Sequence, residues 1–154
     1  MIRNVLLLRR PRPDEAATLT ELCLRSKAVW GYNAEFIEAC RKELTVTPEL
    51  VRDSQIQIAE EEGVVVGVAQ VTVDADVAVL DKLFVEPTRL RSGAGRRLFE
   101  WATKAARDLG AGIMQIEADP GAAEFYRRMG AVDDGVARSG SIPGRVIPRL
   151  KLAL

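Results

Sequence analysis

The hydrophobic period of the chain changes twice, and these changes limit the folds that it can adopt. Up to residue 54 apolar side chains recur at helical spacing, as at Leu19, Leu22 and Cys23. Between Gln55 and Val85 they follow the strand period in three segments separated by turns, and after Gly95 the helical spacing returns. An antiparallel meander enclosed by helices in this way predicts a mixed α/β sheet domain.

Turn and capping signals predict the remaining elements. Pro13, Asn33 and Thr47 mark the starts of three early helices, and Gly110 and Gly130 mark the ends of two later ones. Turns are expected at Glu61 to Gly63 and Asp74-Ala75, and further strands at Val5 to Leu8, Ile113 to Ala118, Ala131 to Ala137 and Val146 to Leu154.

Length and charge restrict the classes of protein. A chain of 154 residues predicts a single domain, residues 1–154. Because 22 basic residues balance 22 acidic ones, neither nucleic acid nor a membrane surface is expected as a partner. The longest apolar runs, such as Val64 to Ala69, are far too short to span a bilayer, and Met1 to Asn4 do not open a signal peptide. We therefore expect a cytoplasmic protein.

Histidine and cysteine usage restricts the chemistry. The chain contains no histidine, which removes imidazole bases and histidine-ligated metals, so no metal is implied. Cys23 and Cys40 lie on separate predicted helices without CxxC spacing, and we expect reduced cysteines that pack in the core.

A glycine-bearing loop joins the strand that ends at Val85 to a long helix. Its sequence is Arg91-Ser92-Gly93-Ala94-Gly95, and the helix start behind it offers unpaired amides and a positive dipole end. The loop suits a phosphate or pyrophosphate, with an ordinary tight turn as the alternative. It is neither a P-loop, since no Gly-Lys-Ser/Thr follows, nor a dinucleotide fingerprint, since Leu98 occupies the third glycine position.

Two motifs at the expected separation resemble the GNAT N-acetyltransferases. The first is Leu83-Phe84-Val85-Glu86-Pro87 with the loop segment Arg91 to Leu98, and the second is Ala122-Ala123-Glu124-Phe125-Tyr126-Arg127-Arg128-Met129-Gly130-Ala131. The resemblance spans nearly the whole chain. It implies a mostly antiparallel central sheet flanked by helices, and an enzyme that transfers an acetyl group from acetyl-CoA to an amine of a small molecule or peptide.

The resemblance also implies roles for individual residues. In this family the glycine loop binds the pyrophosphate of acetyl-CoA, and the preceding strand pairs with the pantetheine arm and the acetyl carbonyl. The positions that match these contacts are Leu83, Phe84 and Val85 on the strand and Arg91, Ser92, Gly93, Ala94, Gly95 and Arg96 in the loop. Tyr126 matches the tyrosine that donates a proton to the CoA sulfur, and the alternative is a core tyrosine with a satisfied hydroxyl, since it lies four residues after Ala122 on the apolar helix face. Asp119 stands where the family often has a pantetheine-binding asparagine, and it is equally a natural helix cap.

Acetyl transfer requires a base for the acceptor ammonium, and without histidine the candidates are carboxylates or ordered water. Strict alternation places Asp81 on the strand face of Leu83 and Val85, near the expected thioester. An ordinary surface carboxylate is the alternative for Asp81, and Glu117 and Glu35 are further candidates for the base.

The acceptor pocket is expected between the first two helices, where the family commonly forms its acceptor wall. Trp30 and Tyr32 lie there and either shape this pocket or pack the helix joint. Arg145 belongs to a second loop, Ser139 to Arg145, which is a flexible connection, a recognition element for an acceptor carboxylate or a contact to a homodimer partner.

Neither cysteine lies in a recognised site motif, so direct attack in a ternary complex is the expected mechanism. The alternative function is a catalytically silent acyl-CoA-binding or regulatory domain.

Overall fold

A seven-stranded sheet organises the computed structural model, which describes residues 5–154. Its strands are β1 (Leu6–Arg9), β2 (Gln55–Glu61), β3 (Val64–Asp74), β4 (Val77–Val85), β5 (Ile113–Glu117), β6 (Val132–Arg138) and β7 (Val146–Ala153). Their spatial order is β1-β2-β3-β4-β5-β7-β6, and every neighbouring pair is antiparallel except β4 and β5. The predicted mixed, mostly antiparallel sheet is confirmed. Residues 1–4, which bear on the expected lack of a signal peptide, lie outside the described residues.

Five α-helices within residues 5–154 pack against this sheet. They are α1 (Ala16–Ala28), α2 (Ala34–Leu44), α3 (Pro48–Asp53), α4 (Ala94–Asp108) and α5 (Ala123–Arg128). The first three share a core with Ile56 and Ile58 of β2, whereas α4 and α5 share another with Met114 and Leu150. No helix in this part of the chain combines the length and apolar character needed to cross a membrane.

The capping residues act as their types predict. The Asn33 side chain accepts a hydrogen bond of 2.8 Å from the Phe36 amide at the start of α2, and Thr47 caps α3 at 3.1 Å. Gly110 and Gly130 follow α4 and α5 with φ of 98° and 101°, a left-handed conformation that favours glycine. These predicted helix boundaries are confirmed.

The strand ends differ from the predictions by about one residue. β2 continues through Glu61, so the turn to β3 is Glu62-Gly63 alone, with φ of 52° and 79° at its two residues. Positive φ at both positions is typical of the two-residue hairpin turn that matches strand twist. β3 likewise continues through Asp74, and residues 75–76 form its turn.

A buried ion pair ties β1 to the start of α1. Two nitrogens of the Arg9 guanidinium donate to the two carboxylate oxygens of Glu15, each at 2.9 Å, and the Arg12 amide donates to the same carboxylate at 2.8 Å. The Glu15 side chain is only 11% exposed. The hydrogen bonds from Arg9 overcome the opposing effect of burial and lower the pKa of Glu15 from 4.5 to about 2.

Replacing Glu15 with glutamine should therefore lower the free energy of unfolding at pH 7 by about 1–3 kcal/mol, because the Arg9 charge loses one of its two carboxylate partners and keeps only Glu60. A depressed folded-state pKa contributes stability above pH 4.5 that disappears as the pH falls toward 2. Urea titrations should show the difference between parent and variant shrinking over this interval. Asp14→Asn is the control, since this side chain is 76% exposed and should contribute less than about 0.5 kcal/mol. A pH-independent difference for Glu15→Gln would contradict the role.

Candidate functional site

A cavity of about 480 Å³ lies where β4 and β5 separate. The two parallel strands pair over only three residues each, from Val77 opposite Ile113 to Val79 opposite Gln115. The rest of β4 and the end of β5 line the cavity instead of pairing with each other. Backbone N–H and C=O groups along these strand edges are therefore available to a ligand that lies between the strands.

The glycine loop forms the start of α4 at one part of this cavity. Gly93 precedes the helix with a φ of 87°, a conformation that most side chains disfavour. The first-turn amides of a helix have no intrahelical acceptors and lie at its positive dipole end. Arg91 and Arg96 are exposed and form no ion pair with a residue in the described range. The loop therefore has the properties of an anion-binding site.

The residues predicted to contact the cofactor are only partly on the cavity wall. Leu83, Phe84 and Val85 line it, as do Arg91 and Gly95 from the loop. The other loop positions do not, and these are Ser92, Gly93, Ala94 and Arg96. The structure thus brings the strand and the loop to one cavity, and the individual contacts stay predictions.

A β-bulge interrupts β4 at Asp81. In the strand register Lys82 pairs with Gln70 and Leu80 pairs with Val71. Asp81, between them, has no residue opposite it on β3. Because of the extra residue, Leu80 and Leu83 both contact the core beneath α4 and α5 although they are three residues apart. The expected strict alternation through Asp81 is therefore wrong, and only the register of the two strands could have revealed this.

Asp81 nevertheless lines the cavity, as does Glu117, whereas Glu35 does not. The Thr72 hydroxyl donates a hydrogen bond of 2.5 Å to the Asp81 carboxylate. Asp81 is exposed, yet desolvation by the atoms around it raises its pKa, against the opposing effects of this hydrogen bond and of the Lys82 charge. A carboxylate with a raised pKa is a better proton acceptor than an ordinary one.

Tyr126 lies on α5, and its side chain is 7% exposed. Its ring centroid is 5.8 Å from that of Phe99 and 5.2 Å from that of Phe125. Its hydroxyl makes no hydrogen bond with any of the described residues. Every fully buried side-chain nitrogen or oxygen among these residues has a hydrogen-bond partner, so the Tyr126 hydroxyl is not fully buried. Because Tyr126 lines the cavity, the hydroxyl is accessible from there. Burial raises the pKa of Tyr126 well above its usual range, which keeps the hydroxyl protonated at neutral pH.

Asp119 connects three distant segments. One carboxylate oxygen accepts hydrogen bonds of 2.8 Å from Lys27 and from Tyr32, and the other accepts one of 2.9 Å from the Gly121 amide. Although burial alone would raise it, the hydrogen bonds from Lys27, Gly121 and Tyr32 lower the pKa of Asp119. The predicted capping role is confirmed, and a cofactor contact would have to share oxygens that are already engaged.

The aromatic residues between α1 and α2 pack against the second loop. Arg145 donates a hydrogen bond of 2.5 Å to the Tyr32 hydroxyl, and its guanidinium carbon lies 5.0 Å from the centre of the Phe36 ring. Tyr32 and Phe36 stack with centroids 4.0 Å apart. Trp30 and Arg145 line the cavity, whereas Tyr32 lies behind them and supports Arg145.

Five charged residues in the cavity wall had no role assigned from the sequence, and these are Lys27, Glu43, Lys82, Glu124 and Arg128. Lys82 is almost fully buried, and Glu43 accepts a hydrogen bond from the Ser141 hydroxyl. The only signal for Lys82 was a charge beside Asp81 in the middle of a strand whose other residues are apolar. Glu43 carried no signal, because on α2 it reads as an ordinary exposed helix residue.

Both cysteines are free and buried, as expected. Burial raises the pKa of the Cys23 thiol to about 12, so it is not a thiolate at neutral pH. Cys40 packs in the core with α1 and also reaches the cavity wall. Across residues 5–154 no group of three or more potential metal ligands occurs, and the expectation that no metal is needed stays a prediction.

Comparison with known proteins identifies the family to which this chain belongs. The family model described as "Acetyltransferase (GNAT) family" matches residues 21–131. No curated protein matches the chain.

Solved structures share the fold. The PaiA N-acetyltransferase of Thermoplasma acidophilum, in complex with coenzyme A, is 18% identical with a TM-score of 0.80, over 97% of this chain and 99% of that chain. A GCN5-related N-acetyltransferase from Rhodopseudomonas palustris is 24% identical with a TM-score of 0.80, over 100% and 99%. The protein yncA of Salmonella typhimurium, with its cofactor acetyl-CoA, is 18% identical with a TM-score of 0.68, over 97% and 94%.

Proposed function

Because the chain belongs to the GNAT family and is an N-acetyltransferase, we propose that it transfers an acetyl group from acetyl-CoA to an amine of a small molecule or peptide, by direct attack in a ternary complex. The observation that carries the proposal is a single cavity that reaches the glycine loop, the separated strands β4 and β5, and Tyr126. Such a cavity can hold a thioester and an amine side by side, which is the arrangement that direct transfer needs.

The residues around the cavity fit coenzyme A. The amides at the start of α4, together with Arg91 and Arg96, would hold the pyrophosphate. The edge of β4 from Leu83 to Val85 would hold the pantetheine arm through its backbone groups. When bound, acetyl-CoA supplies the acetyl group in activated form as a thioester.

Proton transfer is assigned to two side chains of the cavity wall. Asp81 would accept a proton from the acceptor ammonium and so free the nitrogen lone pair. Tyr126 would donate its hydroxyl proton to the departing sulfur, since burial keeps this hydroxyl protonated, and would regain a proton from the acceptor nitrogen as the amide forms. Direct attack requires no acyl carrier on the protein, and the buried thiol of Cys23 is poorly suited to be one.

The acceptor would enter between α1, α2 and the second loop. Trp30 and Arg145 would form its wall, and Tyr32 would hold Arg145 in place through the hydrogen bond to its hydroxyl. Asp119 would hold Lys27 and Tyr32 together, and both Asp119 and Lys27 line the cavity themselves. A cofactor contact of Asp119 stays a proposal.

We also propose that residues 1–154 form one domain, which is supported by matches that cover 97–100% of this chain and 99% of the first two matched chains. The cytoplasmic location, the homodimer and the lack of nucleic acid or membrane partners stay predictions from the sequence.

The experiment that tests the proposal is turnover of acetyl-CoA with a panel of amines, measured by the release of free thiol. We expect transfer to at least one amine, with initial-velocity lines that intersect as both substrates are varied. Parallel lines would contradict the ternary complex. Tight binding of coenzyme A without transfer to any amine would favour a silent binding domain.

The pyrophosphate role of the glycine loop predicts a charge effect at Gly93. Gly93→Asp and Gly93→Asn are nearly equal in size, and both residue types tolerate the left-handed conformation. Because only the aspartate repels pyrophosphate, it should bind coenzyme A about tenfold more weakly than the asparagine variant at low salt. Calorimetry should show this difference shrinking as salt is added. Equal affinities would remove the loop from the binding site.

The acid role of Tyr126 predicts that Tyr126→Phe lowers kcat by about 10- to 100-fold, because general acids typically contribute about 10²–10⁴. The affinity for coenzyme A and the melting temperature should barely change, since the ring contacts to Phe99 and Phe125 are kept. A variant with normal kcat and a lowered melting temperature would instead indicate a purely structural tyrosine.

The base role of Asp81 predicts a change in the pH profile. Because desolvation raises the pKa of Asp81 above 3.8, kcat/KM should rise as the pH rises through this pKa and the carboxylate ionises. Asp81→Asn should lower kcat/KM about 10²-fold near neutral pH and remove this acidic limb. Asp74→Asn, on the neighbouring strand and outside the cavity wall, is the control. If the pH profile of Asp81→Asn is identical to that of the parent, Asp81 is not the base, and Glu117, Glu35 or water becomes the candidate.

A further inference from the structure

Lys82 is a buried cation without an anionic partner. Its side chain on β4 is 8% exposed, and its ammonium donates one hydrogen bond of 3.1 Å, to the neutral amide oxygen of Gln70. No carboxylate of residues 5–154 lies within 4.0 Å of this ammonium. Since an ammonium has three donors, two of them are available to a further acceptor.

The other buried charges of the described chain have ionic partners. Glu15 pairs with Arg9 at 2.9 Å, and Glu61 lies 3.9 Å from Arg89. This is the usual pattern, because an unpaired charge loses hydration on burial and gains nothing in return. Lys82 departs from the pattern and belongs to the residues that line the cavity, which points to an anion that arrives with a ligand.

The position of Lys82 indicates which ligand brings that anion. Phe84, two residues further along β4, packs in the core with α1 and α2, and the Lys82 charge also acts on Cys23 of α1. Lys82 therefore lies on the α1 and α2 side of the sheet. Tyr126 packs in the core beneath α4 and α5 on the opposite side. The acceptor, which would enter between α1 and α2, is the ligand on the Lys82 side.

We propose that Lys82 binds the carboxylate of the acceptor, so that the acceptor is a free amino acid. The inference rests on the proposed acetyl transfer and narrows its acceptor class. The wall also holds basic residues besides Lys82, of which Lys27 and Arg145 pair with Asp119. The carboxylates of Asp81, Glu43 and Glu117 have no ion pair among the described residues and favour an ammonium in the same cavity, which agrees with a zwitterion. The same carboxylates and the single buried cation disfavour a phosphate dianion.

The bulge explains how one small zwitterion can contact both the Asp81 carboxylate and the Lys82 ammonium. Asp81 and Lys82 are consecutive, and in a regular strand their side chains would point to opposite faces. The register shift between β3 and β4 falls at these residues, and both residues line the cavity. The proposed base for the ammonium thus stands next to the proposed partner of the carboxylate.

The test is calorimetry on protein saturated with coenzyme A. The probes are N-acetyl derivatives of the twenty common amino acids, each compared with the matching N-acetyl amino acid amide, which lacks the carboxylate. We expect at least one acid to bind ten times more tightly than its amide or better. Lys82→Met should weaken binding of that acid by about 10- to 100-fold and leave the amide unchanged.

Two further variants control this experiment. Lys82→Met leaves the Gln70 amide oxygen without its hydrogen-bond donor. The double variant Lys82→Met with Gln70→Leu removes both partners of this hydrogen bond and repeats the test with no unsatisfied polar atom. Lys104→Met removes one lysine charge from α4, where the side chain is 74% exposed and pairs with Asp108. This variant should bind acids and amides as the parent does.

The outcomes separate this inference from the proposed function. Equal affinity for acids and amides, no binding of any acid, or an unchanged preference in both Lys82 variants would overturn the Lys82 assignment. Binding of acids through Lys82 without acetylation of any amine would contradict the proposed function and leave the carboxylate site standing. Transfer to peptides and amino acid amides as fast as to free amino acids would overturn the inference and leave acetyl transfer standing.

Discussion

The short pairing between β4 and β5 is the constraint on which the site depends. β4 pairs with β3 along its length but with β5 over only three residues. Backbone groups that leave a sheet must find other partners, and here the separated edges border a cavity instead of another strand. Residues of α1, α2 and α5 line this gap together with β4.

The bulge in β4 sets the charge distribution inside the gap. It places Asp81 and Lys82 in one wall, with a raised pKa at the carboxylate and an unpaired ammonium beside it. Bulges redirect side chains at functional positions because the extra residue breaks the alternation of a strand. A single inserted position therefore supplies both the proposed base and the proposed carboxylate partner.

The outer wall of the cavity is held by contacts between residues far apart in sequence. Asp119 joins Lys27 to the start of the second motif, and Arg145 reaches Tyr32 across 113 positions. These hydrogen bonds fix α1, the α1–α2 connection and the β6–β7 loop relative to one another. An acceptor would therefore meet a wall that is already organised, which lowers the entropic cost of positioning it.

The sequence alone determined the order of elements, most of their ends, and the family. Hydrophobic period, helix caps such as Asn33 and glycine stops such as Gly110 act over a few neighbouring residues, so a local pattern suffices to predict them. Only the tertiary structure decided the bulge at Asp81, the burial of Lys82 and the partners of Asp119. Each of these follows from strand register or from contacts between distant segments, and no local pattern encodes which residues will meet.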